Sequence, residues 1–338
     1  MPWPKVIIVL GSQRGGTTIF GRLLGELEGF VYAGEVRRLW LSDPRKPCSC
    51  GEPLDHCPLW SRVLERVCAG GVTREEIAGW QGGHLSNRHS WLGALRLLWD
   101  GRTGCYADPE LAAYAEVVRH VYGAVAELTG ARVVVDASKH PNDAVLLRQL
   151  SDVRSYVVQI VRDPRGSAHS VQRRDAVRRA RRNRAAPEAG PDRAGRSSAH
   201  ATLSWLTRHA ASEAVRRLLP ADRSLLVRYE DLVERPLEVL GAVAAFVGES
   251  PQHLPDLSAG VMDLGVSHSP TSGKRMLAER MPIRLDERWM EQLSRGDAVL
   301  TAALAWPLMR RYGYPLQPPP ARSVHSTTAV RSGLQQRR

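Results

Sequence analysis

Residues 6–18 read VIIVLGSQRGGTT and place a short apolar run directly before a glycine-rich turn. The run Val6–Leu10 is apolar throughout and rich in β-branched residues, which is typical of a strand buried on both faces of a parallel sheet. The apolar residues after Thr18 recur at helical spacing. The stretch is therefore predicted to form a strand, a loop and a helix in that order.

The same alternation continues along the chain. Further short apolar strands are predicted at Val133–Val135, Tyr156–Val161 and Ser224–Val227. Helical spacing separates or follows them at residues 111–128, 203–219, 237–247 and 286–312. Short apolar strands that alternate with helices predict an α/β fold, with a central parallel sheet flanked by helices. Ligands of such folds bind at the carboxyl ends of the strands.

The chain has 338 residues, of which 43% are hydrophobic, and a net charge of +12. This content suffices for a core without a disulfide scaffold. Much of the charge comes from an arginine-rich segment without core-facing spacing and from the C-terminal tail. We expect one domain at 1–316, which contains a flexible basic insertion at 175–198, and a disordered tail at 317–338. The basic insertion could contact an anionic membrane surface.

The N-terminal apolar run is shorter than a secretory signal or a transmembrane helix requires. The five cysteines are an odd number, which favours free thiols in a reducing compartment over a disulfide framework. We therefore expect a cytoplasmic protein without a transmembrane segment. The sequence does not indicate its oligomeric state.

The turn between the first strand and helix has the composition of an anion-binding loop. Its glycines let successive N–H groups curl around an anion, and the helix N-terminus adds partial positive charge. The predicted ligand-binding residues are Ser12, Arg14, Gly15, Gly16, Thr17 and Thr18. The P-loop of ATP-binding proteins has a lysine where this chain has Thr17. A P-loop-type nucleotide kinase is therefore the alternative, and not the favoured interpretation.

The segment Arg14–Thr18 resembles the 5′-phosphosulfate loop of the PAPS-dependent sulfotransferases. A second resemblance involves Arg162 at the end of a strand and Ser170 in the following helix, the pattern by which this family holds the 3′-phosphate of PAPS. Arg174 lies one turn beyond Ser170. Tyr229 begins a Tyr-Glu-Asp-Leu segment like the one whose tyrosine reaches the nucleotide in the family.

This resemblance implies a P-loop-like three-layer fold and transfer of a sulfuryl group from PAPS, with PAP as the product. The acceptor would be a hydroxyl of a small molecule, a glycolipid or a sugar. No metal is required, because cationic side chains can neutralise the charge that develops on the leaving oxygen. The late basic segment with Lys274 and Arg275 is similar to family loops that fold over the nucleotide.

The catalytic residues are predicted from the tyrosylprotein sulfotransferase-like branch, which the motif pattern resembles most closely. Lys139 corresponds to the lysine that stabilises the transition state there, together with Arg14. Glu35 corresponds to the general base of that branch, and burial near an anionic donor would raise its pKa. His140 is the alternative base, since an ordinary histidine titrates near neutrality.

Cys48, Cys50, His56 and Cys57 could supply four zinc ligands. Their spacing fits no familiar zinc finger, and His56 beside Cys57 is awkward geometry for one ion. A loop with free thiols is favoured, and no metal ligand is assigned.

A non-enzymatic basic protein that binds nucleic acid is the second alternative. The sequence shows no interleaving of aromatic and basic residues of the kind that stacks bases, so nucleic acid is not predicted as a partner.

Overall fold

The computed structural model of the chain describes residues 3–85, 106, 108–148, 150, 152–185, 197–251, 254–257, 260–271 and 279–317. Its main sheet has the spatial order β2-β3-β1-β4-β5, and every neighbouring pair of strands is parallel. The strands are β1 (Lys5–Leu10), β2 (Phe30–Gly34), β3 (Val133–Asp136), β4 (Arg154–Val161) and β5 (Ser224–Arg228). A two-stranded antiparallel ribbon consists of β6 (Val261–Asp263) and β7 (Arg280–Pro282).

Helices cover both faces of the sheet. In chain order they are α1 (Thr17–Gly25), α2 (Trp60–Cys68), α3 (Arg74–His84), α4 (Pro109–Thr129), α5 (Pro141–Arg148), α6 (Pro164–Ala185), α7 (Ser198–Leu218), α8 (Tyr229–Glu234), α9 (Pro236–Phe246), α10 (Trp289–Gln292) and α11 (Arg295–Arg311). Within the part of the chain described, no helix is long and apolar enough to cross a membrane.

Strand β1 shows how the layers are assembled. Its side chains alternate between the two faces of the sheet, as the pleat requires. Val6, Ile8 and Leu10 pack with residues of α2 to α5, whereas Ile7 and Val9 pack with residues of α1, α8 and α9. All five side chains are fully buried, so each contributes about 1.5–3 kcal/mol to stability. The predicted P-loop-like α/β fold with a central parallel sheet is confirmed.

The strand order determines where a ligand can bind. From β1 the chain crosses to β2 and β3 on one side, and it then passes to β4 and β5 on the other side. The loops that leave β1 and β4 are therefore expected to lead in different directions, and the region between them is called the β1–β4 crevice. Such a change of direction at the carboxyl ends of parallel strands is the usual ligand-binding position of α/β sheets.

Three details differ from the sequence-based expectations. Edge strand β2 was not predicted; it is short and follows α1 closely. The helix expected at 286–312 is two helices, because Ser294 caps α11 by accepting a hydrogen bond from the Asp297 N–H at 3.0 Å. Helix α6 extends to Ala185, so the first part of the expected flexible insertion is helical. Residues 186–196 and 318–338 of the insertion and tail lie outside the described residues.

We expect Gly21→Ala to destabilise the protein by about 1–3 kcal/mol, since packing around a well-filled core does not admit an extra carbon. A Cβ at Gly21 would lie 2.8 Å from Cδ2 of Tyr32. The matched control is Gly79→Ala in α3, where no described atom lies within 4 Å of the added carbon. That variant should be neutral or more stable by about 0.5–1 kcal/mol. Urea unfolding measures both, and equal effects would contradict the packing argument.

Candidate functional site

The loop after β1 has the tight turn expected of an anion-binding loop. The Gly15 N–H donates to the Ser12 carbonyl oxygen at 3.1 Å. Gly16 has a φ of 95°, and a Cβ there would overlap the ring of Tyr229. Arg14 also has a left-handed backbone, with a φ of 64°. The loop therefore depends on glycine at position 16, and it lies directly against the Tyr229 side chain at the end of β5.

The predicted residues of the second anion site contact this loop. The Arg162 guanidinium stacks on the Tyr229 ring, with Cζ 4.7 Å from the ring centroid. Its Nη1 donates to the Arg14 carbonyl oxygen at 3.3 Å. Arg14 Nε in turn donates to Ser170 Oγ at 2.9 Å. The structure thus brings Arg14, Arg162, Ser170 and Tyr229 together in the β1–β4 crevice.

The remaining loop residues have less uniform environments. Ser12 is buried, and its Oγ has no hydrogen-bond partner among the described residues. Thr17 is also buried, and Thr18 is half-buried in the first turn of α1. Arg174 Nη2 lies 3.5 Å from Gln13 Oε1, so this side chain reaches the outer rim of the loop. Lys274 and Arg275 lie outside the described residues.

A second polar cluster lies at the carboxyl ends of β2 and β3. Lys139 Nζ donates to Glu35 Oε1 in an ion pair, and the two side chains are 16% and 27% exposed. Lys139 has a left-handed backbone with a φ of 68°, which is uncommon for a residue other than glycine. The predicted base and the predicted transition-state lysine are therefore neighbours, and both side chains are partly exposed.

Asp136 holds this second cluster in place. Its Oδ1 accepts hydrogen bonds from the Ser138 N–H at 2.7 Å and the Val36 N–H at 3.4 Å, while Oδ2 accepts one from Tyr122 Oη at 2.6 Å. The carboxyl group thereby connects the turn after Glu35 with the turn before Lys139. Sequence reasoning did not assign it a role; the signal was a polar residue at the end of an apolar strand.

Burial raises the pKa of Asp136 to about 6, although hydrogen bonds from Ser138 and Tyr122 lower it. Burial has the opposite effect on His140, because the charged form of histidine is the protonated one. Burial, followed by the charges of Arg37, Arg208 and Lys139, lowers the pKa of His140 to about 3. Its Nδ1 has no hydrogen-bond partner within the described ranges. His140 is therefore neutral and weakly basic at neutral pH.

Sequence reasoning also missed Asp286. Its backbone oxygen accepts a hydrogen bond from Arg162 Nη2 at 3.0 Å, and its carboxylate lies 3.7 Å from the same guanidinium. The hydrogen bond from Arg288 and the charge of Arg162 lower the pKa of Asp286 to about 2. Asp286 therefore fixes the orientation of Arg162. No local motif signals this contact, because the two residues are far apart in the sequence.

The cysteines predicted to form a thiol loop are clustered. Cys48, Cys50 and Cys57 lie next to one another, but the histidine beside them is His268. The exposed His56, which the sequence suggested as a fourth partner, is not part of the group. Residue adjacency along the chain was misleading here, since His268 comes from a distant loop.

We expect the stability difference between Asp136→Asn and the wild type to depend on pH. The folded-state pKa near 6 lies above the ordinary value of 3.8. Well below pH 3.8 the Asp136 carboxyl group is protonated in both the folded and the unfolded wild type. As the pH rises through the interval up to about 6, the unfolded state ionises first. The wild type should then lose stability relative to the variant, by up to about 1.4 kcal/mol per pH unit.

Urea unfolding between pH 4 and 7 measures this difference. Asp263→Asn is the control, because Asp263 is largely exposed in a surface ion pair with Arg280. A pH-independent difference for Asp136→Asn, or an equal slope for the control, would contradict the assignment.

Comparison with known proteins identifies the family. A model of the sulfotransferase family matches residues 4–252. No curated protein gives a significant match.

Among solved structures, the sulfotransferase domain of the curacin biosynthetic pathway is 18% identical, with 94% of this chain and 100% of that chain covered and a TM-score of 0.43. The sulfotransferase domain of the Synechococcus PCC 7002 olefin synthase is 20% identical, with 94% and 98% covered and a TM-score of 0.47. A sulfotransferase from Alicyclobacillus acidocaldarius is 13% identical, with 93% and 98% covered and a TM-score of 0.42.

These structural similarities are low, and the assignment rests on the family match, which spans most of the chain. The match confirms the predicted class of enzyme, a PAPS-dependent sulfotransferase. The chain belongs to the sulfotransferase family.

Proposed function

We propose that the enzyme binds PAPS across the β1–β4 crevice and transfers its sulfuryl group to a hydroxyl of a small molecule, a glycolipid or a sugar. The observation that carries this proposal is the set of contacts among Arg14, Ser170, Arg162 and Tyr229. These residues come from three separate segments, and together they form one cationic cluster that packs on the Tyr229 ring. A nucleotide with anionic groups at both its 5′ and 3′ ends has the charge that this cluster would bind.

Each end of the nucleotide has its own set of donors in this proposal. The 5′-phosphosulfate lies on the loop formed by Ser12, Gly15, Gly16, Thr17 and Thr18, where backbone N–H groups and the N-terminus of α1 favour an anion. The 3′-phosphate lies between Arg162 and Ser170. Guanidinium groups are suited to this task because they present paired N–H donors to phosphate oxygens. Arg174, Lys274 and Arg275 are proposed to add contacts at the rim.

The reaction proposed at the opposite edge of the crevice is an in-line displacement at sulfur. The acceptor oxygen forms a new bond to sulfur, and its proton passes to Glu35. The bond between sulfur and the 5′-phosphate oxygen of PAP breaks, and that oxygen keeps the electron pair. Arg14 and Lys139 stabilise the developing negative charge, which is the role that preorganised cations have in transferring charged groups.

Glu35 is a better candidate for the general base than His140. Its carboxylate is partly exposed, beside Lys139, and a general base must lie within hydrogen-bonding reach of the proton that it accepts. His140 is buried, and the low pKa makes its ring a weak base. The pairing of a glutamate after β2 with a lysine after β3 supports a catalytic arrangement like that of the tyrosylprotein sulfotransferase-like branch.

We also propose that residues 1–316 form one domain. The evidence is that the C-terminal segment packs on the sheet that carries the nucleotide site. Tyr314 Oη lies 3.2 Å from the Val161 carbonyl oxygen and 2.6 Å from Glu230 Oε2. Arg165 Nη2 donates to the Pro315 carbonyl oxygen at 2.9 Å. Both Val161 and Arg165 flank the site residue Arg162.

The donor-site assignment predicts weaker PAP binding in two variants. Arg162→Ala and Ser170→Ala should weaken PAP binding, by about 10- to 100-fold for the arginine, because a charge-assisted hydrogen bond contributes about 1.5–3 kcal/mol. Isothermal titration calorimetry measures the affinity. The control is Arg66→Ala, which removes an exposed ion pair with Glu127 and should leave PAP affinity unchanged.

ATP with Mg²⁺ and a DNA oligonucleotide are the competing ligands in that titration. Tight binding of ATP with Mg²⁺ but not PAP would support a nucleotide kinase instead. Salt-sensitive DNA binding that disappears when residues 186–196 are deleted, in a protein without affinity for PAP, would support the nucleic-acid alternative.

The choice of base predicts different turnover for two variants. Glu35→Gln should lower kcat by about 10²- to 10⁴-fold, which is the usual contribution of a general base. His140→Asn should retain turnover within about tenfold of the wild type at neutral pH, since a ring with so low a pKa takes up no proton there. The initial rate of transfer of labelled sulfate from PAPS into one cell extract, compared between the variants and the wild type, measures their relative turnover. The reverse order of effects would assign the base to His140.

A further inference from the structure

The three clustered cysteines and His268 have the geometry of a metal site. Cys57 Sγ lies 3.5 Å from Cys48 Sγ, 3.7 Å from Cys50 Sγ and 3.3 Å from His268 Nδ1. All four of these atoms lie within 4.8 Å of one another. In a tetrahedral zinc site with Zn–S bonds of about 2.3 Å, ligand atoms are separated by roughly 3.5–4 Å. The three distances from Cys57 Sγ are within a few tenths of an ångström of that requirement.

We propose that Cys48, Cys50, Cys57 and His268 bind one structural Zn²⁺ ion. Three thiolates and one imidazole form a closed tetrahedral set, which leaves no coordination position for a substrate. The set is therefore that of a structural site and does not alter the metal-free sulfuryl transfer proposed above. Zinc is the ion chosen because soft sulfur ligands combined with imidazole in tetrahedral geometry favour it.

The surroundings of the cluster are built in the way a metal site requires. Cys48 and Cys57 are fully buried. The Gly51 N–H donates to the Cys48 carbonyl oxygen at 3.0 Å, and Gly51 has a φ of 99°, so the chain turns tightly between Cys48 and Cys50. Such a turn lets two cysteines that are close in sequence face the same ion.

Hydrogen bonds to the backbone on either side of His268 hold its loop in place, and they do not involve the imidazole ring. Trp60 Nε1 donates to the His268 carbonyl oxygen at 3.0 Å. Ser49 Oγ donates to the Ser267 carbonyl oxygen at 2.6 Å and accepts from the Ser269 N–H at 2.7 Å. These bonds hold the His268 backbone against the cysteine turn. The four ligand atoms, which come from two distant segments, are thereby held close together before an ion binds, and this preorganisation favours binding.

Zinc binding would also stabilise the loop next to the proposed base Glu35. Ser269 is fully buried, and its side chain fills the space where a Cβ at Gly34 would lie. Gly34 directly precedes Glu35. Zinc at the cysteine cluster therefore fastens the loop that packs behind the proposed base. Because only thiolates coordinate zinc, zinc binding would displace a proton from each cysteine ligand that is a thiol in the metal-free protein.

The test is the metal content of the full-length protein, purified under reducing conditions without a metal-affinity tag. Elemental mass spectrometry of the purified protein should find about one zinc ion per chain. Removal with a chelator should lower the unfolding temperature, and added ZnCl₂ should restore it. Protein that contains no stoichiometric zinc as purified, and takes up none from ZnCl₂, would overturn the proposal. The same result with a disulfide among these cysteines would identify a redox pair instead.

Variants identify the ligands. His268→Ala should weaken zinc binding by more than the roughly 10- to 100-fold that loss of an outer-shell partner costs. His56→Ala is its matched control and should keep full affinity. Cys57→Ser should lose the ion, whereas Cys68→Ser, which changes a cysteine outside the cluster, should retain it. Equal zinc affinity in His268→Ala and His56→Ala would contradict the assigned ligands.

PAP affinity is measured on every variant. It separates failure of the zinc site from failure of the proposed donor site, and urea unfolding of each variant reports whether the chain has folded. A variant that keeps PAP binding and loses zinc supports the assignment. If Cys57→Ser does not fold, the metal content of the wild type and of His268→Ala still decides the question.

Discussion

The structure depends on the complete enclosure of strand β1. Helices cover its two faces, and β3 and β4 pair with its two edges, so none of its polar backbone or apolar side chains needs water. This enclosure fixes the point at which the chain emerges from the sheet. The loop that follows β1 therefore begins at a rigid position in the middle of the carboxyl edge, and residues from β4 and β5 can meet it there without large loops of their own.

The site divides into two parts that are supported differently. The proposed donor side is held by contacts between its own cationic residues, since Arg162 fixes Arg14, and Asp286 with Tyr229 fixes Arg162. The proposed acceptor side is held by the buried carboxyl group of Asp136, which accepts hydrogen bonds from the Val36 and Ser138 N–H groups. A carboxyl in such a place costs desolvation free energy, and only a full set of hydrogen bonds offsets that cost. Asp136 thereby holds in place the two turns that carry the proposed catalytic residues Glu35 and Lys139.

Local patterns sufficed for most of the fold and for the residues that the structure brings together between β1 and β4. A buried strand followed by a glycine-rich turn is a local signal, and so is Arg162 at the end of an apolar run. The contacts that the sequence could not predict join distant segments. No local motif links Asp286 to Arg162 or His268 to the cysteines, and these contacts arise only from folding. For the same reason His56 was a misleading partner for the cysteines, and the burial that makes His140 a weak base could not be predicted.

The backbone itself indicates where the structure accepts strain. Arg14 and Lys139 are the non-glycine residues with positive φ in the described parts of the chain. A left-handed conformation costs a residue with a side chain about 1–2 kcal/mol, and surrounding contacts must offset that cost. Arg162 bonds the Arg14 carbonyl, and Asp136 bonds the residue before Lys139. The two strained residues are the two cations proposed to face the transferred sulfuryl group. The strain is therefore located where the backbone would orient a positive charge toward that group.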